Sequence, residues 1–153
     1  MEREIRLRTA EDTQAFGRRL GQQLRAGDLL VLTGDLGAGK TTLTQGIGAG
    51  LGVRGPVTSP TFVISRIHPS LVGGPALVHV DAYRLGSQLE LDDLDLDADL
   101  DQSVTIVEWG AGLAEQLSDS RLEISLTGEP ERTARLVAVG PRWDGRLEAL
   151  LTS

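Results

Sequence analysis

Residues 28–41 read Asp28-Leu29-Leu30-Val31-Leu32-Thr33-Gly34-Asp35-Leu36-Gly37-Ala38-Gly39-Lys40-Thr41. The first part is a short apolar run of strand length, and the last eight residues fit G-x-x-x-x-G-K-[ST]. Thr41 to Leu51 then carries helical periodicity, with Gly52 as its stop. Strand, glycine-rich loop and helix is the context that a phosphate-binding loop requires. The glycines let consecutive backbone N–H groups turn inward around phosphate oxygens. Lys40 brings a compact positive charge to the β- and γ-phosphates. Thr41 offers a hydroxyl to Mg²⁺ at a helix N-terminus that favours anions. Lys40 is also the only lysine among 15 basic residues, the other 14 being arginines. The competing reading of the same stretch is a glycine-rich turn with no ligand.

Working outward, Glu4–Leu7 predicts a short strand. Thr9 predicts the N-cap of a helix in which Ala15, Phe16, Leu20 and Leu24 recur at helical spacing through about Ala26. Phe62–His68 and Ala76–Val80 predict an antiparallel hairpin joined through 69–75, the second strand ending at Asp81. Val104–Val107 predicts a buried strand ending at Glu108. Arg121–Thr127 and Arg132–Val139 alternate like a strand pair. Short helices are expected near 87–95 and 112–117, and a C-terminal one over 143–151. No repeat or linker divides the chain, so residues 1–153 are expected to form one domain.

Composition narrows the function. The net charge is −7, against the basic face of a nucleic-acid binder. Absence of cysteine excludes disulfides, zinc–thiolate sites and a thiol nucleophile. No apolar stretch reaches the length of a membrane span or a signal segment, so a soluble cytoplasmic protein with no membrane partner is expected. The acidic 90–101 segment lacks the glycine and terminal glutamate of a calcium-binding loop. It reads as a solvated face or a surface for a basic partner. His68 and His79 lack metal-ligand spacing, and His79 reads as a packed or hydrogen-bonded strand residue.

Hydrolysis needs more than a phosphate loop. It needs a carboxylate to hold Mg²⁺ or its waters, and a group to orient the attacking water. Ligands of open α/β sheets bind at the C-terminal ends of the strands. Asp81 and Glu108 both end apolar runs and are the two candidates. Spacing does not divide the roles between them, and a strand-terminal acid is often only a turn residue. The Thr58–Phe62 loop reads as an ordinary turn or as a segment sensing the γ-phosphate.

Four blocks in order, Gly34-Asp35-Leu36-Gly37-Ala38-Gly39-Lys40-Thr41-Thr42, Ser59-Pro60-Thr61-Phe62, His79-Val80-Asp81-Ala82-Tyr83-Arg84 and Val107-Glu108-Trp109, resemble the TsaE (YjeE) family. This is the P-loop ATPase family of bacterial threonylcarbamoyladenosine (t6A) biosynthesis. The resemblance implies an α/β P-loop NTPase-like three-layer fold with a mixed central sheet flanked by helices. It implies ATP and Mg²⁺ as cofactors, with the metal between Thr41 and Glu108 and with Lys40, Asp81 and Glu108 serving catalysis. It implies nucleotide contacts from Thr9, Glu11, Gly37, Ala38, Gly39, Lys40, Thr41, Thr42 and Arg132. TsaB and TsaD are the implied partners, with tRNA met only through their complex. Two departures stand out: Ala82 replaces a common leucine, and Gly-Ala-Gly-Leu follows Trp109 where many members place Glu-Arg. A small-molecule kinase or stand-alone NTPase is the alternative activity for such a loop.

Overall fold

The computed structural model describes residues 2–34, 39–53, 65–81, 102–108, 120–127, 132–143 and 146. Among them, seven strands form one mixed sheet: β1 (Glu2–Leu7), β2 (Leu29–Gly34), β3 (Ser65–His68), β4 (Ala76–Asp81), β5 (Ser103–Glu108), β6 (Arg121–Thr127) and β7 (Arg132–Val139). Two helices, α1 (Ala10–Gln23) and α2 (Lys40–Leu51), accompany them. The order across the sheet is β1-β7-β6-β2-β5-β4-β3. β2 runs parallel to both β5 and β6, and β4 runs parallel to β5. β3, β7 and β1 each pair antiparallel with their neighbours. The α/β class and the mixed sheet agree with the sequence, as do the antiparallel 65–68/76–81 and 121–127/132–139 pairs.

Alternation decides what each strand face meets. Leu30, Leu32, Ile106, Leu122, Ile124 and Leu136 join Phe16, Leu20, Leu43 and Ile47 of the helices in one buried cluster. Val31, Val78, Val80 and Val107, one residue out of phase with that face, are buried as well. Burial on both faces is why β2 reads as a continuous apolar run and not as an alternating one.

Thr9 caps α1 as expected, its hydroxyl accepting from the Asp12 N–H at 3.0 Å. The Asp12 carboxylate returns the favour to the Arg8 N–H at 3.2 Å. The helix stops at Gln23, earlier than the periodicity implied, because the chain turns there. The Asp28 side chain takes the Arg25 N–H at 2.7 Å, the Asp28 N–H bonds Arg25 O, and Gly27 adopts φ 95°. The buried stripe of α1 also differs from the expected one. Phe16, Leu20 and Leu24 are buried but Ala15 is exposed, and Thr13, Gly17 and Gly21 are buried in its place.

The reason lies in α2. A Cβ on Gly17 would stand 2.5 Å from Leu43 O, and one on Gly21 2.3 Å from Ile47 O. Reciprocally, a Cβ on Gly46 would stand 2.4 Å from Gln14 O, and one on Gly50 2.1 Å from Arg18 O. The two helices therefore touch backbone to backbone, and glycine is the residue that permits it. α2 ends where the sequence placed its stop: Gly52 takes φ 74° and donates to Gly48 O and Ala49 O. The helices expected at 87–95 and 112–117, with the third layer they would build, lie outside the described residues. Of the 143–151 helix only Trp143 and Arg146 fall inside: Pro141–Trp143 forms a 3₁₀ turn, and Arg146 is helical as expected. No helix among the described residues is long and apolar enough to cross a membrane.

Candidate functional site at one edge of the sheet

Strand direction gathers the candidate residues. β2, β5 and β4 are adjacent and parallel, so Gly34, Glu108 and Asp81 end on the same edge of the sheet. β6 points the same way, and β7 returns from it, so Arg132 begins on that edge. Arg132 pairs with Leu7, the last residue of β1, so Thr9 and the α1 N-terminus start there too. The Lys40 end of α2 follows the loop after Gly34. Residues spread from 9 to 132 in sequence thus converge on the edge where open α/β sheets take ligands.

The loop itself is described at its two ends. Gly34 adopts φ 148° and Gly39 φ 99°, a left-handed geometry that favours glycine before the first residue of α2. Lys40 is buried, and its Nζ donates to Gly34 O at 2.8 Å, clasping the loop across its base. Thr44 secures the first turn by donating to Lys40 O at 2.9 Å. Thr41 and Thr42 are half-buried at the same helix end. Gly37 and Ala38 lie outside the described residues, as do Trp109 and the Thr58–Phe62 loop. At Gly39 a Cβ would meet Arg132 Nε at 3.9 Å and Thr13 Cγ2 at 4.0 Å. The Arg132 guanidinium and the first turn of α1 therefore flank the loop directly. Thr9 and Glu11, in and beside that turn, are exposed.

Glu108 is buried at the end of β5, 4% exposed, opposite Leu32 of β2. Standard strand spacing puts its Cα roughly 8 Å from that of Gly34. On its other side it stands opposite Asp81 of β4. His79 Nε2 lies 3.1 Å from Glu108 Oε1, and the imidazole is fully buried. The sequence reading of His79 as a hydrogen-bonded strand residue holds, but it gave no sign of the partner. Hydroxyl and carboxylate oxygens at Thr41 and Glu108 form a hard donor set that suits Mg²⁺. Among the described residues no three His, Asp or Glu side chains gather as a protein-only cage. Mg²⁺ on phosphates ordinarily needs only one or two protein ligands.

The end of β2 thus lies beside β5, whose own end carries the buried Glu108. The family model for "Threonylcarbamoyl adenosine biosynthesis protein TsaE" matches residues 7–136. The chain belongs to the TsaE family. Among its curated relatives, the "tRNA threonylcarbamoyladenosine biosynthesis protein TsaE" of Streptomyces coelicolor is 58% identical over 135 residues, covering 84% of this chain and 91% of the relative. The Bacillus subtilis protein of the same name is 41% identical over 143 residues, covering 92% and 88%. The crystal structure of Bacillus subtilis YdiB superposes with a TM-score of 0.79 at 35% identity, over 99% of this chain and 95% of that one. The TsaE fold is thus present along nearly the whole chain.

Proposed function

We propose that this TsaE-family chain binds and hydrolyses ATP with Mg²⁺, and so supports a TsaB–TsaD complex that forms t6A at position 37 of tRNA in the cytoplasm. The observation that carries the reading is the convergence of the Lys40 loop, Glu108, Asp81, Arg132 and the α1 N-terminus on one sheet edge. The names of the relatives supply the pathway.

In this reading the loop amides and the α2 N-terminus bind the phosphates. Lys40 leaves Gly34 O for the β- and γ-phosphates. Arg132 and the first turn of α1 border the rest of the nucleotide. Thr41 and Glu108 hold Mg²⁺, which when bound neutralises phosphate charge. Asp81 lies nearest the reacting phosphate and orients water. The chain itself does not transfer the threonylcarbamoyl group.

Slow hydrolysis alone and faster hydrolysis with partners is the expected behaviour. A site that supplies little transition-state charge in cis is commonly completed by another protein. The test is steady-state phosphate release at saturating ATP, with and without purified TsaB–TsaD from the same organism. It is paired with t6A content of cellular tRNA after gene deletion. A rate already high alone and indifferent to the complex, with t6A retained, rejects the reading in favour of a stand-alone NTPase or kinase.

A further inference from the structure

We propose that His79 is a positioning residue for Glu108: its Nε2–H holds Oε1 and leaves Oε2 as the single oxygen offered to Mg²⁺ or its water. The inference rests on the reading of Glu108 as the metal-side carboxylate.

Three observations carry it. First, the contact is buried on both sides: His79 is fully enclosed and the Glu108 side chain is 6% exposed, with 3.1 Å between Nε2 and Oε1. Second, among the described residues the imidazole has no other partner, since buried Nδ1 makes no hydrogen bond there. An ionised carboxylate can only accept, so Nε2 carries the proton in this contact. Third, the Glu108 carboxylate receives no other side-chain hydrogen bond among the described residues, and Oε2 is unengaged by any of them. A buried acid with one bond is a poor device for stability, because an apolar pair of similar shape serves a core as well. It is a good device for aiming one oxygen.

The strand geometry explains why a histidine does this. Residues 79 and 81 of β4 share a sheet face with 106 and 108 of β5, and His79 stands opposite Ile106, one step below Glu108. From there an imidazole reaches diagonally up to Oε1 and approaches the carboxylate from within the protein. Such outer partners of metal-binding side chains ordinarily matter 10- to 100-fold in metal affinity.

The experiment titrates ATP into the full chain with Mg²⁺ and with EDTA, for wild type, His79→Leu, His79→Gln and Glu108→Ala, with thermal melts of each. His79→Leu should lose roughly ten-fold or more of the affinity gained from Mg²⁺, and keep its Mg²⁺-free affinity. His79→Gln, whose amide nitrogen reaches about as far as Nε2, should recover much of the loss. Adding His79→Leu to Glu108→Ala should cost nothing further. A folded His79→Leu with the Mg²⁺ gain intact, or an equal loss with and without Mg²⁺, overturns the proposal. If His79→Leu fails to fold, His79→Asn takes its place, its amide being too short to reach Oε1, and equal gains for Asn and Gln overturn the proposal. The two levels separate cleanly. A Mg²⁺ gain that Glu108→Ala leaves untouched removes the reading of Glu108 and the proposal with it. A gain that Glu108→Ala abolishes and His79→Leu does not removes only the role of His79.

Discussion

Asp81 and Glu108, which no sequence spacing could rank, stand opposite one another at the ends of adjacent parallel strands. Their neighbours differ: Glu108 also flanks Leu32 on the loop strand, whereas Asp81 lies one strand further out. Glu108→Ala should therefore abolish most of the rise in melting temperature that ATP with Mg²⁺ produces, since ligand stabilisation follows affinity. Asp81→Asn should keep most of that rise and lose on the order of 100-fold in phosphate release. Melts with ATP, with and without Mg²⁺, and a phosphate assay on both variants decide it. The opposite pattern exchanges the two roles.

Lys40→Ala should leave a folded protein that releases phosphate at least about 100-fold more slowly. The hydrogen bond from Nζ to Gly34 O that the variant removes is worth on the order of 1 kcal/mol, which is small beside the loss of rate. Lys40→Arg should not restore the rate, because a planar guanidinium does not replace a compact ammonium in this clasp. Circular dichroism and phosphate release together test this. Wild-type turnover by folded Lys40→Ala would show that the loop is not the catalytic one.

Asp28 was legible only as the first residue of an apolar strand, yet it anchors the far end of the molecule. Both its oxygens accept from Arg146, at 2.9 and 2.7 Å, and Arg146 also lies over the Trp143 ring, 4.3 Å from its centroid. Asp28 is fully buried. Arg146→Ala takes the guanidinium away from that buried carboxylate and should cost about 3–5 kcal/mol. The double variant with Asp28→Ala should recover part of it, because no buried charge is then left unpaired. Denaturant melts of the single and double variants measure the coupling; additive losses would deny it.

Near the N-terminus, the Arg135 guanidinium donates to Glu2 at 2.7 Å and holds its carboxyl below the ordinary value of 4.5. A depressed folded value means the pair helps the native state above about pH 4.5, and that help fades as pH falls through the folded value. Glu2 is fully exposed, so the readout is titration and not stability. The Glu2 carboxyl followed by NMR should titrate below the ordinary range, and return to it in Arg135→Gln or in high salt. A midpoint unchanged by Arg135→Gln would contradict the contact.

Much of this architecture could be read beforehand, and the reasons are local. The β2–loop–α2 unit announces itself because strand, left-handed glycine and helix N-terminus are each coded within a few residues. The Thr9 cap and the Gly52 stop are equally local. Strand order was not legible, since parallel neighbours such as β2 and β5 lie some 70 residues apart and apolar periodicity carries no partner identity. The His79–Glu108 contact depends on that register and was hidden with it. The roles of Thr9, Glu11 and Arg132 came only from resemblance, and the topology gives them a common edge.

The glycines of α1 and α2 were the least legible feature, because glycine in a helix reads as a cost of about 1 kcal/mol relative to alanine. Here the sign inverts. Gly46→Ala places a methyl 2.4 Å from Gln14 O, and the obstacle is backbone, which cannot swing aside. The helices must part, at about 1–3 kcal/mol, or roughly 2–10 °C of melting temperature in a chain of this size. Gly74→Ala is the control, since the nearest atom to its Cβ is Ser70 Oγ at 3.8 Å, and it should be neutral or slightly stabilising. The functional consequence follows from position. α1 carries Thr9 and Glu11 at its start and sets Thr13 beside Gly39, so parting α1 from α2 moves that border away from the loop. Gly46→Ala should therefore weaken ATP binding equally with and without Mg²⁺, in contrast to Glu108→Ala. Thermal melts and paired titrations of the two glycine variants test both halves. A Gly46→Ala protein as stable as wild type would mean that the helices do not meet at these carbonyls. A destabilised one with full affinity would free the α1 start from any part in the nucleotide site.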